Sequence, residues 1–234
     1  MTTLLHNLGT PPYIAEWFQQ LQVQPLAQAV DDPKAAAVFS ADMVVGFCQR
    51  GNLASPRIGA LTPLVVNLFR RAYAYGIRHF VLLQDTHHPQ TPEFKAFPPH
   101  CVRGTEEANT ITDLQALPFA NVFTVIEKNS LHPALGTPFD RWLEEHPEVR
   151  TAIVAGNCTD LCVYQLAMHL RLRANALNLA AVRVIVPAEA VDTYDVPGEA
   201  VLSPGAKVHP GDFFHQVFLY HLALNGVEVV RALR

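Results

Sequence analysis

The chain is poor in charge and in sulfur. Asp, Glu, Lys and Arg make up only 16% of its 234 residues, and 17 basic against 21 acidic side chains leave a net charge of -4. A surface of that kind presents no attractive field to phosphate, so a nucleic-acid partner is not expected. No apolar run approaches the roughly 18 residues of a membrane span, so a membrane partner is not expected either. The opening stretch, MTTLLHNLGTPPYIAEW, lacks a basic segment followed by an apolar one and does not read as a signal peptide. Four cysteines at this length do not make a disulfide scaffold, and a reducing, cytoplasmic setting is the expectation. Repeats, low-complexity tracts and charge blocks are missing as well, which leaves no linker to divide the chain. Disorder is excluded by an apolar content of 50%.

From Ala35 onward short apolar runs alternate with longer helical patterns. The runs are residues 35–41, 79–84, 121–127, 151–156, 182–186 and 227–230, and their lack of polar alternation suits strands buried on both faces. Between them, Ile58–Tyr75 carries Leu61, Val65, Leu68 and Ala72 on one stripe, and Leu161–Leu177 and Asp212–Leu224 also read as helices. In the last of these, Phe213, Phe214, Val217, Phe218 and Leu222 make a wide apolar face, expected in the core or at a subunit contact. A shorter helix is expected around Tyr13–Leu21. Alternation of this kind predicts an α/β fold with a mostly parallel sheet.

In open parallel sheets, ligands gather beyond the carboxyl ends of the strands. The first run is followed by Asp42, the second by Asp85, the third by Lys128 and the fourth by GNCTDLC, ending at Cys162. Two acids, an amine and a thiol thus fall at corresponding ends of four strands. Cys162 is placed in the first turn of a helix, where the dipole, the free N–H groups and a nearby Lys128 would favour a thiolate. The same N–H groups can receive an oxyanion. Asp42 can move protons between thiol, leaving group and water.

A second cluster follows Asp85: His87, Glu93 and then His100 in PPHC, with His88 facing away. Oxygen and imidazole donors without thiolate suit Zn²⁺, Fe²⁺ or Mn²⁺ with coordination positions left open. Cys48 and Cys101 read as packing residues, whereas Cys158, four residues from Cys162, offers a possible redox partner.

Asp42 with Phe47-Cys48, Asp85-x-His87, PPHCVRGT (98–105), Lys128 and GNCTDLCV (156–163) resemble the isochorismatase-like cysteine hydrolases, and among them the nicotinamidases most. The resemblance implies a single-domain, Rossmann-like three-layer α/β/α sandwich over residues 35–234, with residues 1–34 an N-terminal extension. It implies a catalytic triad of Asp42, Lys128 and Cys162, and an oxyanion hole at the N–H groups of Cys158 and Cys162 behind a cis Asn157–Cys158 peptide. Phe47 and Phe97 would stack on the substrate ring. Asp85, His87 and His100, with Glu93 as a further candidate, would hold a divalent transition metal: zinc, or else iron or manganese.

The activity implied is hydrolysis of a small aromatic amide, nicotinamide first, through a Cys thioester, a step of NAD salvage; family members also form homo-oligomers. The alternatives are another hydrolase of the family, such as a carbamoyl-amide hydrolase, or an inactive thiol or binding relative. Val44 stands where the family usually has Gln, Asn157-Cys158 where it has an aliphatic residue and Ala, Phe97 where nicotinamidases commonly have Trp, and Glu93 where some relatives have a further His.

Overall fold

The apolar run Ala36–Ala41 forms β2, and its backbone is hydrogen-bonded on both sides: to β3 (His79–Asp85) on one edge and to β5 (Thr151–Asn157) on the other. A computed structural model of the protein describes residues 9–197 and 207–234. Around β2 the strand order is β4 (Phe123–Lys128), β3, β2, β5, β6 (Arg183–Pro187) and β8 (Glu228–Val230), and the short β7 (Val191–Asp192) pairs with the end of β5. Every one of these pairings among the described residues is parallel, in keeping with the mostly parallel sheet expected. The chain leaves β2 toward β3 and β4 and returns to the other side at β5. The point of reversal opens a crevice beyond the carboxyl ends of β2 and β5, where such sheets take their ligands.

Alternate residues of each strand feed two cores. Ala36 and Val38 of β2, Phe80 and Leu82 of β3, and Ile153 and Ala155 of β5 pack on one side against helix α4 (Pro56–Tyr75). Its buried stripe of Ile58, Leu61, Val65, Leu68, Phe69 and Ala72 has helical spacing, and Gly76 ends it with a left-handed φ of 118°. Ala37 and Phe39, Val81 and Leu83, and Val154 face the other layer, made by α6 (Phe139–Glu145), α7 (Cys162–Ala176) and α8 (Gly211–Leu224).

Two expectations change. The run before Lys128 is not buried on both faces: β4 is an edge strand with Thr124, Val125 and Glu127 exposed. In α8 the buried line is Gly211, His215, Leu219 and Leu222, while Phe213, Phe214, Val217 and Phe218 are half-buried. Helical spacing gave the apolar width of α8 correctly but not the centre of its buried face.

The segment ahead of β2 is tied to the end of the chain. Helix α1 (Pro12–Gln19) packs on α8, and β1 (Val23–Gln24) pairs in parallel with β9 (Ala232–Leu233). The one-turn α2 (Leu26–Ala29) starts with the Leu26 N–H donating to the Arg234 carbonyl. Two more one-turn helices, α3 (Val45–Cys48) and α5 (Thr112–Gln115), lie in the connections around the crevice.

Gly156 sits at the crevice floor with φ 107°, opposite Ala41 in the β2–β5 register. A Cβ there would lie 2.0 Å from the Ala41 carbonyl oxygen. Gly156→Ala is therefore expected to cost about 3 kcal/mol or more through overpacking and backbone strain, read as a lower urea midpoint with an unchanged slope.

Candidate active site

The strand ends deliver what their register dictates. Asp85 is the register partner of Lys128, and Asp42 follows directly after Ala41. Asp42 has a left-handed φ of 51°, rare for a residue with a Cβ and best tolerated by Asn and Asp. Its backbone is held on both sides: its N–H donates to the Leu83 carbonyl at 2.9 Å, and its carbonyl accepts from Asn157 Nδ2 at 2.7 Å. The Asp85 N–H donates to Asp42 Oδ1 at 2.7 Å. Asn157, noted in the sequence only as a departure from the family, thus clamps the turn that aims Asp42.

Asp42, Lys128 and Cys162 are brought into contact, all buried. Lys128 Nζ lies 2.9 Å from Asp42 Oδ2, 3.4 Å from Cys162 Sγ, and also donates to Asp85 Oδ1. Burial first, and then the Asp85 charge, raise the Asp42 carboxyl to about 6 against the pull of Lys128. Burial alone would raise Asp85 too, but Lys128, His100 and His87 hold it well below the ordinary carboxylate range. Lys128, despite burial, is pushed well above its usual value by the two acids.

The thiolate expected at Cys162 is not its resting form. Burial and the Asp42 charge push the thiol well above its ordinary value, more than Lys128 lowers it. Two carboxylates already balance that one amine, so a third negative group is disfavoured. The arrangement suits a thiol beside a carboxylate that can accept its proton: Asp42 Oδ2 is buried, with Lys128 Nζ at 2.9 Å.

Beside this trio, one donor atom each from Asp85, His87, Glu93 and His100 lies within 4.8 Å of the other three. His87 Nε2 is 3.4 Å from Asp85 Oδ2 and 3.6 Å from Glu93 Oε1, and His100 Nε2 is 3.8 Å and 4.0 Å from the same oxygens. Asp85 Oδ2, His87 Nε2 and Glu93 Oε1 are buried without hydrogen-bond partners, a costly state unless a further group binds between them. His100 Nδ1 sits 2.8 Å from the Pro98 carbonyl, which only an N–H can satisfy, so Nε2 keeps its lone pair for the centre. The residues fit a divalent ion that takes oxygen and imidazole donors. His88 is exposed, as expected.

A pocket opens onto both groups, walled by Phe47, Leu53, Phe97, Leu131 and Leu161 with Asn157, Cys158 and Cys162. The ring of Phe47 is tilted against His100 at 5.4 Å, and Phe97 meets His100 edge-on at 6.3 Å. Val44 does not leave a gap in this wall: it is fully buried in the core and bridges to Thr110. All four cysteines are free. Burial pushes the Cys158 thiol well above its ordinary value and keeps it protonated.

The Asn157–Cys158 peptide is cis, as the resemblance implies. The turn before Cys162 also has supports that its sequence did not disclose. Thr159 Oγ1 pairs with buried His215 Nδ1 at 2.9 Å, and Asp160 receives a hydrogen bond from Thr193 and lies 2.8 Å from His209 Nε2. His209 is sandwiched between Tyr194 and Phe214, with centroids 3.8 Å and 4.3 Å away. The packing of α8 under the turn gives His215 this partner. His169, by contrast, pairs with Asp140 at the surface.

Comparison with known proteins is decided by residues 36–202, which match the Isochorismatase domain family. The chain belongs to the isochorismatase family. Within that family the chain is nicotinamidase-like and is an enzyme, an amidohydrolase. It is 30% identical over 203 residues to Nicotinamidase 1 of Arabidopsis thaliana, covering 81% of this chain and 82% of that one. Among solved structures, N-carbamoylsarcosine amidase from Thermoplasma acidophilum superposes with a TM-score of 0.63 at 22% identity, over 84% of this chain and 95% of that one. The pyrazinamidase of Pyrococcus horikoshii in complex with zinc gives 0.62 at 19% identity, over 84% and 99%. Both structural likenesses show the isochorismatase fold.

His215 generates a pH prediction. Burial lowers its pKa to about 4, below the 6.5 of the unfolded chain. A depressed histidine contributes stability that is fully present above pH 6.5 and is lost as pH falls through about 4. Wild type should lose on the order of 3 kcal/mol from this group over that range, measured by urea unfolding at stepped pH, and His215→Gln should show a flatter profile.

Proposed function

We propose that the protein is a metal-assisted cysteine amidohydrolase of small, uncharged aromatic or heterocyclic carboxamides, with nicotinamide, giving nicotinate and ammonia, the first candidate. The observation that carries this reading is the contact of Asp42, Lys128 and Cys162 at the floor of an apolar pocket beside four convergent metal donors.

In the proposed reaction Cys162 Sγ attacks the amide carbon while its proton passes to Asp42 Oδ2. The N–H groups of Cys158, in the turn after β5, and of Cys162, at the start of α7, receive the negative charge that develops on the carbonyl oxygen. Asp42 then gives its proton to the departing nitrogen, ammonia leaves, and a thioester remains on Cys162. Asp42 takes a proton from water as that water attacks the thioester and returns it to the sulfur as the C–S bond breaks, so thiol and a carboxylic acid, which ionises, are released. A carboxyl titrating near 6 serves both directions at neutral pH. Lys128 anchors the carboxylate and offers a positive charge to the sulfur as its proton leaves. Phe47 and Phe97 supply faces for a flat ring. A divalent ion bound by Asp85, His87, Glu93 and His100 would supply a coordination site for a ring nitrogen, orienting the amide over the sulfur.

The pocket wall also bears on the rival reading of a carbamoyl-amide hydrolase. Its described residues include Asp42, Asp85 and Glu93 but no Arg or Lys. A substrate carrying its own carboxylate would find no cationic side chain in this wall to pair with, which favours an uncharged amide.

The test is ammonia release across a panel of nicotinamide, pyrazinamide, benzamide and an N-carbamoyl amino acid. Nicotinamide or a related ring amide should be cleaved, the carbamoyl acid poorly, and Cys162→Ala should lower turnover at least a thousandfold. Release from none of the ring amides by metal-loaded enzyme refutes the reading. Asn157→Leu frees the Asp42 carbonyl and should lower kcat about tenfold or more, with KM changed less, in steady-state assays of the folded variant.

A further inference from the structure

A second set of metal-type donors meets at the other end of the sheet. His79 opens β3, His146 follows the last residue of α6, and Glu148 lies in the connection to β5. One donor atom from each lies within 4.8 Å of the other two, and His79 Nε2 is 3.4 Å from Glu148 Oε1. The two imidazole centroids are 5.0 Å apart. His79 and Asp85 stand at opposite ends of the seven-residue β3, about 20 Å apart at strand rise, so this cluster shares nothing with the crevice.

Both rings are oriented before any ligand arrives. His146 Nδ1 is 2.7 Å from the Trp142 carbonyl, so that nitrogen carries the proton and Nε2 the available lone pair. Its ring stacks on Trp142 at 4.1 Å, and His79 meets the same indole edge-on at 5.8 Å. A backbone carbonyl fixing the tautomer of an imidazole is the arrangement that supports metal-bound histidines. His79 is only a quarter exposed and Glu148 about half, so the cluster is firm on one side and open to solvent on the other.

We propose that His79, His146 and Glu148 form a second divalent-metal site, for Zn²⁺ or an ion of similar softness. Two imidazole nitrogens and one carboxylate oxygen are donors that zinc takes readily, and three protein ligands leave a position for water. An ion there joins the start of β3, the end of α6 and the entry to β5, three segments of the chain that meet at the amino edge of the sheet. Its effect is on stability, because an ion that binds only the folded chain shifts unfolding by mass action.

The test is calorimetric titration of Zn²⁺ into the full, tag-free chain after metal has been stripped from it. Glu148→Gln and His146→Gln should each lose one Zn²⁺ equivalent or bind it at least tenfold more weakly, and should lose the matching zinc-dependent rise in Tm. Asp85→Asn should keep that equivalent, which separates this site from the crevice. If both Glu148→Gln and His146→Gln take up zinc as wild type does, the proposal is overturned. Should His146→Gln fail to fold, Glu148→Gln, altered at a half-exposed side chain, decides alone.

Discussion

One buried amine serves two buried carboxylates, and the chemistry of the site follows from that sharing. Lys128 touches both Asp42 and Asp85, and all three side chains are withdrawn from water. Charges in such a place cost several kcal/mol each unless they are paired. A single cation between two acids leaves an excess of negative charge, and its consequences reach every neighbour. Asp42 is raised toward neutrality, Cys162 keeps its proton, and the outer oxygen of Asp85 is left facing two imidazoles and Glu93. The thiol–acid pair and the metal donors are therefore halves of one electrostatic unit joined at Asp85. They require β2, β3 and β4 to end at the same level, which the parallel register enforces.

The sequence disclosed most of this arrangement because parallel strands buried on both faces are continuous apolar runs, and the residue after each run falls near the crevice. Ala36–Ala41, His79–Asp85 and Thr151–Asn157 lie within a residue or two of the runs that predict them. The edge position of β4 was hidden, since Val125 and Ile126 read as core although only Ile126 is buried. Pairings of two residues, such as β1 with β9, leave no periodicity to detect.

Within the site, residue identity was legible and charge state was not. The convergence of Asp42, Lys128 and Cys162 follows from strand ends, but the protonation of the thiol depends on how many acids share the amine, a count that exists only in three dimensions. Asn157 illustrates the same limit: its side chain matters through the Asp42 carbonyl, 115 residues away in the chain. Val44 is the converse, a departure beside Asp42 in sequence whose side chain packs into the core. The two ends of the sheet also divide their tasks. The carboxyl end holds the buried charges and the pocket, and the amino end holds the His79 cluster, whose influence is on the stability of the frame.

The most direct test of the proposed Cys162–Asp42 chemistry is a rapid acid quench of enzyme with nicotinamide, followed by digestion and mass spectrometry. A nicotinoyl group on the peptide carrying Cys162, absent in Asp42→Asn, is the expected result. Ammonia released with no acyl group on that cysteine, or an acyl group on Cys158 instead, would contradict it.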